Sequence, residues 1–160
     1  MQAALLYYRG SGIAAWWIRR WTKSRFAHVA PAIFFDDSGG ALAYDAYWST
    51  GVTKRELYPV DLWFGVEDVQ YLPFDAAQVD AKLAWLEEQV DKHYDKPSIV
   101  IIGLTKRLPG WLHVYVSRQG EWICSLLAMV TSETEQECWG LNGPPSPEDI
   151  HRITKAKYEL

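Results

Sequence analysis

Two cysteines, two methionines and four histidines are all that 160 residues offer as soft or imidazole ligands. Two thiols cannot staple a disulfide scaffold, and no Cys/His group has the spacing of a zinc site. No apolar run approaches the ~20 residues of a membrane-spanning helix. The apolar run Ala3–Tyr8 has no basic segment before it and is too short for a signal peptide. The expected location is therefore a reducing cytoplasm. Charged residues at 22% and hydrophobic residues at 49% exclude a disordered or collagen-like chain. With no repeat, low-complexity tract or linker, the expectation is one domain over residues 1–160, long enough to bury a core.

What is abundant is large amphipathic rings, with nine Trp and nine Tyr. Charge is also uneven. Residues 1–35 carry Arg9, Arg19, Arg20, Lys23 and Arg25 and no acid. That head holds +5 of a total of −4, which leaves −9 on the rest. A cationic head beside Trp16, Trp17 and Trp21 suits a phosphate or a weak membrane-surface contact. The plainer reading is a solvated helix face, with Trp residues at helical spacing turned to the core. A nucleic-acid partner is not expected, because the basic residues are few and the total charge is negative.

Turn chemistry and periodicity predict an α+β chain. Ala3–Tyr8 reads as a buried strand, and Ser11 as the cap of a helix to about Lys23. Extended segments follow at Ala27–Phe35, Ala41–Trp48 and Val52–Tyr58, separated by Asp36-Asp37-Ser38-Gly39-Gly40 and Ser49-Thr50-Gly51. Val66–Leu72 reads as a fourth strand of this meander. Asp75 caps a helix over Ala76–Lys92, and a second apolar helix is expected from Trp122 to about Thr134. Pro97–Gly110 is ambiguous, and Ser146-Pro147-Glu148 opens a last short helix.

Gly10-Ser11-Gly12-Ile13-Ala14-Ala15, between a strand and a helix, has the form of a dinucleotide-binding turn. Asp36 or Asp37 would then stand where a ribose-binding acid is needed. The next segment, however, leads into a hairpin turn rather than a crossover helix. The motif is read as a plain turn, and no cofactor or metal is expected.

The stronger signal joins residues far apart. Cys124 opens an apolar helix, where free N–H groups favour a thiolate and can receive an oxyanion. Taken alone, it could equally be a buried core thiol. His28 shares one strand face with Ala30, Ala32 and Phe34, and Asp45 interrupts the otherwise apolar face Ala41, Ala43, Tyr47 on the next strand. Their indices centre on the predicted turn, which makes them plausible cross-strand neighbours after a small register shift. A carboxylate beside an imidazole beside a thiol is the composition of a nucleophilic triad. His93 would complement a helix end, and His113 and His151 have no recognisable partners. Cys138 lies among Glu133, Glu135 and Glu137, which should raise its thiol pKa.

With these residues in hand, the chain resembles the circularly permuted branch of NlpC-type papain-like cysteine peptidases, relatives of the lecithin retinol acyltransferase-like proteins. The resemblance covers roughly residues 5–135. It rests on Ser24-Arg25-Phe26-Ala27-His28-Val29, Tyr44-Asp45-Ala46, Gly51-Val52, His93-Tyr94-Asp95 and Trp122-Ile123-Cys124-Ser125-Leu126-Leu127. It implies a papain-like antiparallel sheet or small barrel packed against helices. It further implies Cys124 as nucleophile, His28 as base, Asp45 as orienting residue and Tyr94 near the oxyanion. Leu126, Pro31 and Asp45 depart from the acid or Thr, the Gly and the longer acid or His common in relatives. The implied substrate is a peptide-like amide or an acyl lipid. The alternatives are a silent ligand- or lipid-binding module and a lipid acyl hydrolase or acyltransferase.

Overall fold

A computed structural model describes residues 1–35, 39–47, 49–60, 65–93, 123–138, 141 and 145–159. Five strands, β1 (Gln2–Tyr8), β2 (His28–Phe34), β3 (Ala41–Tyr47), β4 (Gly51–Leu57) and β5 (Val66–Tyr71), form an antiparallel sheet in the order β4-β3-β2-β1-β5. Helix α1 (Gly12–Thr22) joins β1 to β2. Helices α2 (Ala76–Gln89), α3 (Cys124–Thr131), α4 (Glu135–Cys138) and α5 (Pro147–Tyr158) follow the sheet. The architecture is α+β, with an open sheet against helices rather than a closed barrel.

Alternation along β1 and β2 divides the core. Ala3, Leu5, Tyr7, Val29 and Ile33 pack with Leu72, Val79, Leu86 and the α3 residues Leu126, Leu127 and Ala128. Leu6, Ala32, Ala41, Ala43 and Leu57 form a second buried cluster. Registers Leu6↔Ala30 and Ala32↔Ala43 set His28, Ala30 and Ala32 on the face of Ala43, Asp45 and Tyr47.

β5 corrects the simple meander. It pairs with β1, not β4, with Leu6 opposite Val69 and Ala4 opposite Tyr71. β4 suits a sheet edge because Lys54, Arg55 and Glu56 are exposed. The open side of β1 is apolar, and there Tyr7 OH donates to Gln70 Oε1 at 2.7 Å. The antiparallel β1–β2 pairing across α1 also removes the parallel crossover that a dinucleotide-binding turn requires.

Local capping chemistry explains the helix starts. Asp75 and Gln78 exchange a capping box at α2, and Ser146 and Asp149 do the same at α5, with Pro147 at its first position. Ser11 sits at the N-cap of α1, but its side chain makes no capping bond. Helix α2 stops at Gln89, short of Lys92. α3 ends at Thr131 rather than Thr134, because Ser132 closes it and Glu133 takes φ +55°. The last helix is longer than expected, at 12 residues. It is anchored by Gln70 Nε2, which donates to the His151 carbonyl at 3.0 Å.

Candidate active site

β1 and β2 run antiparallel with Tyr8 opposite His28, so His28 lies at the strand end where α1 joins the sheet. α3 packs mainly on β2 and also touches β3, which brings its N-terminus to that end. Every residue from Cys124 to Ala128 is buried. That packing, with Leu127 fully enclosed, fixes the helix; a buried Leu side chain contributes about 1.5–3 kcal/mol.

The geometry brings together three of the four residues singled out from sequence. His28 Nε2 lies 2.9 Å from Asp45 Oδ1. A carboxylate only accepts, so Nε2 carries the proton and Nδ1 is left for the Cys124 thiol, to which the ring is hydrogen-bonded. The β2–β3 register is centred one residue beyond the midpoint of His28 and Asp45. They therefore meet on the diagonal rather than directly across. Tyr94 lies outside the described residues, as do Pro97–Gly110 and His113.

Burial works to raise the Cys124 pKa, but the His28 charge, its hydrogen bond and the N–H groups of Val29 and Ser125 hold the thiol below its ordinary value. Burial likewise works to lower His28. The Cys124 thiolate and the Asp45 carboxylate outweigh it and push the imidazole up to about 10. A contact ion pair at an effective dielectric of about 20 is worth about 4 kcal/mol, several times the 1.4 kcal/mol of one pKa unit. Each group therefore favours the charged form of the other, which tilts the pair toward thiolate and imidazolium.

Sequence reasoning missed what supports this pair. Asp45 is fully buried, and its second oxygen, Oδ2, accepts from Arg55 Nε at 3.1 Å. Against burial, the His28 hydrogen bond and charge, then Arg55, hold the carboxyl below its usual range. Arg55 is one diagonal step from Asp45 across β3 and β4, where strand parity alone could have found it. Two rings flank the imidazole. Tyr47 stacks at 5.2 Å with planes 16° apart, and Tyr8 lies at 5.6 Å. Each electron-rich face favours the charged ring.

His151 is not partnerless, as its sequence context had suggested. Its Nε2 lies 2.7 Å from Asp68 Oδ2, while Arg25 approaches the ring at 3.2 Å and Glu148 at 3.4 Å. This cluster ties α5 to β5 and to the segment leading into β2. No signal local to residue 151 reveals it, because its partners come from two other parts of the chain. Cys138 is pushed up to about 11, mainly by burial, with Asp149, Glu137 and Glu135 adding to it. Cys124 and Cys138 are both free thiols.

Among the described residues no group of His, Cys, Asp and Glu could hold a metal ion, and no helix is long and apolar enough to cross a membrane. No protein-family model matches the chain, and no curated protein matches it.

Proposed function

We propose that the protein is a cysteine hydrolase of the permuted papain-like kind, cleaving an amide or ester acyl bond through a Cys124 acyl-enzyme. The observation that carries this reading is the Cys124–His28 pair at a helix N-terminus, with Asp45 2.9 Å behind the imidazole. A core thiol has no need of a charged partner, whereas a nucleophile does.

In this reading the Cys124 thiolate adds to the substrate carbonyl carbon, and the oxyanion faces the N-terminal N–H groups of α3. His28 gives its Nδ1 proton to the leaving amine or alcohol as the carbon–heteroatom bond breaks. The neutral imidazole then takes a proton from water, whose oxygen attacks the thioester and releases the acid. Asp45 keeps the ring oriented and favours its cation throughout.

The test needs no substrate. At mildly acidic pH a limiting amount of iodoacetamide should alkylate Cys124 ahead of Cys138, read by peptide mass mapping. His28→Ala should erase that preference while the fold persists. Native labelling of Cys138 with Cys124 inert would leave the binding-module alternative standing.

A further inference from the structure

Helix α1 does little for the core, since only Ala15 and Thr22 of its 11 residues are buried. Its apolar residues instead face outward, with Ile13 77%, Trp16 51% and Trp17 45% exposed. Positions 13, 16, 17, 20 and 21 follow helical spacing and form one stripe. Within it Trp16 meets Trp17 at 5.2 Å and Trp17 meets Trp21 at 5.0 Å, both edge to face. The three rings therefore pack on one another in series. A pair of exposed indoles is expensive to keep in water unless something covers it.

The charges around the stripe select what covers it. Arg20 and Lys23 are exposed, and among the described residues neither has an acidic partner. Arg9 and Arg25, at the two ends of the α1 connection, are paired with Glu67 and Glu148, so Arg20 and Lys23 are the cations left beside the stripe without an acid among the described residues. Symmetric pairing of two copies through this stripe would set two cationic heads against each other. A single-stranded nucleic acid would stack on the indoles but leave Ile13 uncovered. A plane of anionic headgroups above an acyl region satisfies both features, because indoles settle at that boundary and Lys/Arg bind the headgroups.

We propose that α1 docks the protein on an anionic lipid bilayer, with Ile13, Trp16 and Trp17 entering the interface and Arg20 and Lys23 on its headgroups. The remainder of the chain carries a net −9, so among the described residues this cationic end is the part best matched to an anionic surface. The connection is tight. A Cβ at Gly10, where φ is +65°, would lie 2.9 Å from Ala15 and 3.4 Å from Ala27. The α1 N-terminus is thereby held beside the residue preceding His28. Docking thus turns the Cys124–His28 end of the sheet toward the membrane, yet it does not depend on that site being catalytic.

Sedimentation of the full chain with vesicles tests this. Phosphatidylcholine vesicles containing phosphatidylglycerol should bind it at low salt, pure phosphatidylcholine vesicles should not, and added salt should release it. Arg20→Gln with Lys23→Gln should weaken binding roughly 30-fold, since each cation near such a surface contributes about a factor of five. Trp16→Ser with Trp17→Ser should abolish it. Both variants should keep the wild-type circular dichroism and the same Cys124 alkylation, which separates loss of docking from loss of the site. Should the Trp variant fail to fold, the Arg20/Lys23 variant still decides. Equal sedimentation with both vesicle types, or unchanged binding in the charge variant, overturns the proposal. So does a dimer that the Trp variant splits while vesicles bind nothing.

Discussion

Arg55 places both Nε and Nη2 3.1 Å from Oδ2 of Asp45, on the side of the carboxylate turned away from His28. The acid is fully buried while the guanidinium is partly open to solvent. Arg55 therefore supplies the second partner without which a lone buried carboxylate would tend to protonate. It also reaches Tyr8 OH at 3.4 Å, which links the clamp to one of the rings against His28.

Removing that clamp should be visible in a pH profile. Asp45 has a depressed pKa, so its contribution is present above its ordinary value near 3.8 and lost as pH falls through the folded value. Arg55→Gln raises the folded pKa. The acid limb of Cys124 alkylation, and of the acid unfolding curve, should move to higher pH. Arg55→Lys should recover part of the shift, because an ammonium supplies charge without the fork. Asp45→Asn should keep the fold and lower turnover on a responsive substrate by about 10³–10⁴-fold. Asp45→Glu should retain more than Asp45→Ala. An Asp45→Ala enzyme as fast as wild type would remove the third member of the triad.

The ion pair makes a second pH prediction. His28, raised from 6.5 to about 10, contributes stability that is full below 6.5 and lost as pH rises through about 10. Cys124, lowered from 9.0, contributes stability present above 9.0 and lost as pH falls through its folded value. As pH approaches 9.0 from below the two slopes oppose, because the His28 contribution falls with rising pH while that of Cys124 grows. Thermal unfolding followed against pH should show a plateau there, with decline on both sides. Thiolate ultraviolet absorbance should persist at neutral pH in the wild type. In His28→Ala it should appear only in alkali.

A third prediction concerns the frame behind the site. Gly51 has φ +78°, and a Cβ there would lie 2.2 Å from the Lys92 carbonyl oxygen. That oxygen accepts the Val52 N–H at 2.9 Å, joining the segment after α2 to β4. Gly51→Ala should destabilise by about 2 kcal/mol or more and lower Tm by several degrees. Gly12→Ala, at φ +86° with nothing within 4 Å, separates the two causes. A smaller loss there would isolate the clash with Lys92 from the dihedral strain that both positions share.

By itself, the sequence determined the elements and the sidedness of the candidate site. Alternation placed His28 and Asp45 on one face, because a strand repeats every two residues whatever it packs against. Asp75 with Gln78 and Ser146 with Asp149 marked helix starts because a cap is made by neighbours in the chain. The tertiary structure decided what no local period encodes. β5 chose the β1 edge, Arg55 took the free oxygen of Asp45, and Asp68 with Arg25 enclosed His151. Helical spacing gave Trp16 and Trp17 the appearance of core residues, yet they are exposed because α1 packs only lightly on the sheet. Periodicity identifies an amphipathic face. Whether that face finds a partner within the chain depends on contacts between segments distant in sequence, which only the folded molecule supplies.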